Sequence, residues 1–153
     1  MLKIEIPQRG TLELRHAVFD INGTLAVDGV ALPEVASRLQ QLSEHLTIHL
    51  LTAGTHGHTA ELERALGFPL RIIHTGEEKM RYVQHLGPAN VVAFGNGIND
   101  SSMLRLATIG IAIIGAEGVA TRTLQSADIL VRSPIDALDL LLKPKRLVAT
   151  LRI

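Results

Sequence analysis

Three short apolar runs in this sequence end in residues able to do chemistry. Ala17-Val18-Phe19 leads into Asp20-Ile21-Asn22-Gly23-Thr24-Leu25. Leu46 to Leu51 leads into Thr52-Ala53-Gly54-Thr55, and Val91 to Phe94 into Gly95-Asn96-Gly97-Ile98-Asn99-Asp100. Lys79 is the only lysine between Lys3 and Lys143. A carboxylate can serve as a covalent nucleophile or as an oxygen ligand for a hard cation. A threonine hydroxyl beside backbone N–H groups can hold an oxygen of an anion, and a lysine ammonium adds a point charge. Glycines such as Gly95 and Gly97 let the chain pass close to whatever is bound.

These residues need elements to position them. From His16 onward, apolar runs alternate with helical patterns. The further runs are Leu70 to Ile73, Ile109 to Ile114 and Ile129 to Val131. Helices are predicted at Pro33–His45, His58–Leu66, Glu77–Leu86, Asp100–Ala107, Ala116–Gln125 and Pro134–Leu142, with Pro33 and Pro134 in their first turns. Continuous apolar strands between helices predict an α/β fold, a parallel sheet covered on both faces. In such sheets ligands sit beyond the carboxyl ends of the strands, where the three loops stand. Leu2, Ile4 and Ile6, then Leu12 and Leu14 after the Pro7–Gly10 break, alternate as a β-hairpin does. One domain is expected over 1–153, with the hairpin at 1–15 and the α/β core at 16–153.

Composition excludes several function classes. Fifteen basic and fifteen acidic residues cancel, which removes the electrostatic case for nucleic acid or an anionic membrane as partner. One Tyr, three Phe and no Trp leave no base-stacking platform. The absence of Cys rules out disulfides, a thiol nucleophile and thiolate metal sites. No apolar run reaches the roughly 18 residues of a membrane span, and MLKIEIPQRG carries charges and a Pro where a signal peptide has its apolar core. The expectation is a cytoplasmic protein.

Taken together and in order, the strand ending in Asp20-Ile21-Asn22-Gly23-Thr24, the strand ending in Thr52, then Lys79 and the loop ending in Asn99-Asp100 resemble the haloacid dehalogenase superfamily of phosphotransferases. Val91 to Asp100, with Ile109-Gly110-Ile111-Ala112 and Ala127-Asp128-Ile129, is similar to the phosphorylation domain of P-type ATPases, and the chain as a whole to the small soluble P-type ATPase-like proteins. The resemblance implies a Rossmann-like sheet, Mg²⁺ as cofactor and a phosphorylated substrate or nucleotide. It implies Asp20 as nucleophile, with Asn22, Thr52 and Lys79 beside it in the catalytic set. Thr52, Ala53, Gly54 and Lys79 would hold the phosphate. Asp20, the Asn22 carbonyl, Asn96, Asn99 and Asp100 would hold or position the metal, Asp100 alternatively bonding Lys79.

Two residues depart from the superfamily pattern. Asn22 stands where many of its phosphatases have a general acid–base Asp, and Asn96 where G-D-G would supply a carboxylate. An amide cannot shuttle a proton, help typically worth about 10²–10⁴-fold. A catalytically weak or silent phosphate- or metal-binding regulator is therefore the alternative, and a free-standing phosphorylation domain a third. Room is lacking for a cap domain after Thr24 or between Thr55 and Lys79, so an open site is expected. A large substrate or a neighbouring copy would then cover it, and a homo-oligomer using the hairpin edge is expected. His56-Gly57-His58 reads as a loop and helix start, and Lys143-Pro144-Lys145-Arg146 as the beginning of a solvated terminus.

Overall fold

The computed structural model describes residues 1–54 and 57–153; Thr55 and His56, named above, lie outside the described residues. A six-stranded parallel sheet carries the fold. Its strands are β3 (His16–Asp20), β6 (Thr47–Thr52), β7 (Leu70–Ile72), β8 (Val91–Gly95), β9 (Ile109–Ile113) and β10 (Ile129–Val131), in the order β10-β9-β8-β3-β6-β7. β3 lies in the middle, His16 to Asp20 against Thr47 to Leu51 on one side and His16 to Phe19 against Val91 to Phe94 on the other. That register brings Asp20, Thr52 and Gly95 to the same end of the sheet.

Alternation along β3 sends Ala17 and Phe19 to one face, and His16, Val18 and Asp20 to the other. On the first face Phe19 stacks on Phe94 across the strand pair, with ring centroids 4.4 Å apart. There the sheet packs against α1 (Val35–Ser43), α2 (Thr59–Leu66), α6 (Pro134–Leu142) and α7 (Pro144–Leu151) through Leu39, Leu62, Leu138 and Leu147. On the second face Val18, Leu51 and Ala93 meet Val83 of α3 (Gly76–Leu86) and Met103 and Leu104 of α4 (Ser101–Leu106). At the start of this face His16 Nδ1 and His49 Nε2 share a 3.1 Å hydrogen bond, and His49 Nδ1 meets the Tyr82 hydroxyl at 2.8 Å. α5 (Thr121–Ser126) follows β9.

The N-terminal hairpin is β1 (Leu2–Ile6) on β2 (Gly10–Leu14), and it buries Ile4, Ile6 and Leu14 in the first face's cluster. After β3 there is only a second hairpin, β4 (Ala26–Val27) on β5 (Val30–Ala31), before α1. Asp28 (φ 51) and Gly29 (φ 78) make its turn, left-handed at both central positions as a tight hairpin requires. Among the described residues no cap domain is inserted.

Three elements differ from expectation. Pro33 does not open α1. Val35 N donates to Leu32 O, with Pro33 and Glu34 (φ 65) between them, a type II turn in which proline suits the first central position. The helix read at 116–125 is only Thr121–Ser126, because Gly115 to Gly118 turn back, Gly118 N to Gly115 O, and Ala120 N then bonds Asn96 O. The basic stretch after Leu142 is solvated, with Lys143, Lys145 and Arg146 exposed, but it opens a helix rather than a loose tail. Lys143 and Arg146 fold back onto the Asp139 carboxylate at 2.8 and 3.3 Å, Arg38 joins at 3.0 Å, and Leu147 of α7 is buried.

Candidate active site

At the carboxyl end of β3, Lys79 is fully buried between two carboxylates. Its Nζ donates to Asp20 Oδ1 at 2.6 Å and to Asp100 Oδ1 at 2.7 Å. A capping box delivers the lysine: Thr75 Oγ1 accepts from Glu78 N while Glu78 Oε2 accepts from Thr75 N, so α3 starts one turn before Lys79. The helix is also drawn in closely. A Cβ on Gly76 would stand 2.8 Å from the Asn99 carbonyl.

Asp100 is the clamp of this arrangement. Its Oδ2 accepts from the backbone N–H groups of Asn96 and Gly97 at 3.0 and 2.9 Å, and its Oδ1 takes Lys79. Both oxygens accept hydrogen bonds, and of the two roles expected the bond to Lys79 is present. Gly95 makes this possible, because a Cβ there would lie 2.5 Å from the Asp100 side chain. Asn99 does not join the cluster: its side-chain oxygen lies over Gly97, and among the described residues it bonds none of Asp20, Lys79 or Asn96.

Asp20 keeps its second oxygen toward the loops. Thr24 Oγ1 lies 3.1 Å from Asp20 Oδ2 and 3.3 Å from Asn96 Oδ1, so a carboxylate oxygen and an amide oxygen converge on one hydroxyl. Asn96 Nδ2 is pinned by the Gly118 carbonyl at 3.0 Å. Thr24 is part of the motif after the first strand, and its place four residues after Asp20 is the sequence signal for this contact. Thr123 of α5, which nothing in the sequence marked, holds the Gly97 carbonyl through its hydroxyl.

Opposite Asp20, Thr52 Oγ1 accepts from Gly54 N at 3.1 Å and from Asn22 Nδ2 at 3.5 Å. Its acceptor side is thus engaged, and its own O–H is left to donate. The Gly54 amide turns to this hydroxyl, with Ala53 between the two residues in the loop. Asn22 Oδ1 is buried and has no hydrogen-bond partner among the described residues.

Two carboxylates and one ammonium leave the buried cluster with one excess negative charge. Burial, reinforced by Asp100, pushes the Asp20 carboxyl up to about 7, while Lys79 and Thr24 pull it the other way. Burial alone would lower the Lys79 ammonium, but Asp20 and Asp100 outweigh it and hold the group above its ordinary value. Among the described residues no three His, Cys, Asp or Glu side chains gather into a metal cage. The oxygens that converge here are one carboxylate oxygen of Asp20 and the Asn96 amide oxygen, 3.1 and 3.3 Å from the Thr24 hydroxyl. That all-oxygen set, in a site of net negative charge, fits Mg²⁺, which keeps several waters and takes the rest of its shell from one or two carboxylates and substrate phosphate.

A family profile described as haloacid dehalogenase-like hydrolase matches residues 36–128. An uncharacterised protein of Methanocaldococcus jannaschii is 44% identical over 78 residues, covering 48% of this chain and 84% of that protein. In fold, the chain is similar to the 3-deoxy-D-manno-octulosonate 8-phosphate phosphatase of Moraxella catarrhalis, solved with magnesium, phosphate and KDO. The TM-score is 0.67 at 16% identity, over 91% of this chain and 94% of that one. It is also similar to part of a zinc-transporting PIB-type ATPase, with TM-score 0.64 at 22% identity, over 78% of this chain and 20% of that one. Both likenesses concern the fold.

Proposed function

The chain belongs to the haloacid dehalogenase-like hydrolases, and from that premise we propose that it is a Mg²⁺-dependent phosphohydrolase or phosphotransferase. It acts through an aspartyl-phosphate on Asp20, with a phosphoester or nucleotide as substrate. The observation that carries this reading is the buried Asp20–Lys79–Asp100 clamp at the end of the central strand. A carboxylate that must attack an anionic phosphate needs a fixed cation beside it, and Lys79 is held there by the Asp100 carboxylate, itself fixed by the Asn96 and Gly97 amides.

An Asp20 oxygen forms a bond to phosphorus as the bond from phosphorus to the leaving oxygen breaks, and that oxygen takes its proton from water. The Thr52 hydroxyl donates to a phosphoryl oxygen, and Lys79 neutralises the charge shared by Asp20 and the phosphoryl group. A water oxygen then bonds to phosphorus, the Asp20–phosphorus bond breaks, and phosphate leaves with Asp20 restored; an acceptor hydroxyl in place of water makes the step a transfer. Asp20, Asn96 and the Asn22 carbonyl would hold the Mg²⁺, whose chemistry there is neutralisation of charge on the phosphate. The magnesium and phosphate bound by the phosphatase of similar fold support this choice of cofactor.

A second reading, a regulator that binds phosphate or metal with little turnover, is favoured by one observation. The position two residues after Asp20 is an amide, whose oxygen has no partner among the described residues and which cannot move a proton as a carboxylate would. A screen of small phosphoesters, nucleotides and an aryl phosphate with Mg²⁺ separates the readings. The enzyme reading expects hydrolysis, and a hydroxylamine-sensitive acyl-phosphate, both absent in a folded Asp20→Ala protein. Activity that survives in Asp20→Ala excludes the covalent mechanism.

A further inference from the structure

Two guanidinium groups face one cavity with no acid to meet them. Arg105 of α4 and Arg122 of α5 line a space of about 280 Å³ together with Ser101, Ser102 and Ser126. No Asp or Glu lines it, and among the described residues neither arginine forms a salt bridge. The walls are fixed. Arg105 Nη2 donates to Ser126 Oγ at 3.3 Å across the two helices, and Ser126 Oγ donates to the Arg122 carbonyl at 2.8 Å. Ser101 Oγ donates to the Ile98 carbonyl at 2.8 Å. None of Asp20, Thr52 or Lys79 lines this space, so it is separate from the candidate active site and does not rest on the function proposed for it.

We propose that the cleft between α4 and α5 is a second anion site, which takes a tetrahedral dianion of the phosphate type. Two arginines supply two positive charges and several N–H donors in planar forks, the geometry that matches phosphate oxygens two at a time. A single carboxylate would leave one guanidinium unmatched. Size agrees: the space is about nine times a water's share of liquid volume, ~30 Å³, and lies just below the roughly 300–1,000 Å³ of pockets that enclose whole small molecules. It holds a phosphoryl group and some water, with any organic remainder outside. Both walls reach the loop that carries Asp100, α4 by following it directly and α5 through Thr123 on the Gly97 carbonyl. An ion drawing the helices together therefore braces that loop from outside.

Inorganic phosphate, glycerol phosphate and, at matched ionic strength, chloride are titrated into ¹⁵N-labelled protein free of divalent metal. Phosphate is expected to move the amides of residues 101–105 and 122–126 saturably, and to raise the melting temperature by linkage. Glycerol phosphate acting alike assigns the site to phosphoryl groups in general; phosphate alone acting assigns it to the free ion. In Arg105→Gln/Arg122→Gln, whose positions are exposed and whose fold is checked by the spectrum itself, the affinity read at these amides falls roughly tenfold or more. The proposal is overturned if chloride gives the same shifts, if shifts are confined to residues 20–24, 52–54 and 95–97, or if the double variant binds phosphate like the parent.

Discussion

Gly23 and Asn96 stand closer than any other side chain at position 23 would allow: a Cβ on Gly23 would come within 2.2 Å of Asn96 Nδ2. The loop after the central strand and the loop after β8 are thereby locked into one surface. Gly23 also has φ +80, which an L side chain rarely adopts.

Gly23→Ala should therefore fail twice. The left-handed backbone costs about 1–2 kcal/mol, and Asn96 must leave the Gly118 carbonyl. Urea unfolding is expected to show a loss of at least that size. Gly23→Ala/Asn96→Ala should regain the steric part and not the backbone part. A Gly23→Ala protein as stable as the parent would contradict the contact.

Asn96→Asp is expected to tighten Mg²⁺ binding while weakening the metal-free fold. The new carboxylate adds charge where the Asn96 oxygen faces Thr24 and Asp20, but the Nδ2 donor to Gly118 is lost. Gly118 is exposed, so water can replace the donor and the loss is that of an ordinary hydrogen bond, about 0.5–1.5 kcal/mol. Calorimetric titration and melting with and without Mg²⁺ read both effects. Equal or weaker affinity would place Asn96 off the metal.

Asn22→Asp should raise steady-state phosphatase turnover. The exchange gives up only the 3.5 Å contact to Thr52 and turns an idle acceptor into a group that can move a proton. Where proton transfer limits the rate, the gain is on the order of 10²-fold, reduced by one more negative charge beside the phosphate. A folded variant with no gain on any substrate the parent hydrolyses would show that Asn22 is no brake.

His49 makes stability depend on pH. Burial, with His16 and Arg71 adding to it, pushes its imidazole down to about 4. The unfolded chain binds that proton near 6.5, the usual value, so stability is lost as pH falls from about 6.5 to about 4 and levels off below. After discounting for partial exposure, the contribution is about 1–2 kcal/mol. His49→Gln can still bond Tyr82 and His16 but does not titrate, so the difference between the two stability–pH curves should fall across that window. Parallel curves would contradict it.

The strands and the loops at their ends were legible because a parallel sheet buried on both faces demands unbroken apolar runs, and the polar residues that break them mark the strand ends. α7 was hidden by its own charges. Lys143 and Arg146 are exposed, and no periodicity shows that Asp139 of the preceding helix gathers both of them. The role of Asp100 was beyond sequence for a different reason. Metal ligand and lysine clamp use the same residue, and the clamp shows only in the donors that face each oxygen. The Tyr82–His49–His16 chain joins residues from three elements, and no spacing announces it. The cleft of Arg105 and Arg122 escaped because two exposed arginines 17 positions apart look like ordinary surface.

The place of β3 in the middle of the sheet has a consequence for synthesis. Its second neighbour, β8, lies some 75 residues further along the chain, His16 pairing with Val91. At the usual 5–20 residues per second, roughly 4–15 s pass between making the two. Through that interval one edge of an apolar strand has no native partner, and an open strand edge is a template for another chain. The Asp20 carboxylate reaches its final surroundings only after the ribosome has made β8, so a nascent chain stalled before that point carries the motif without the site.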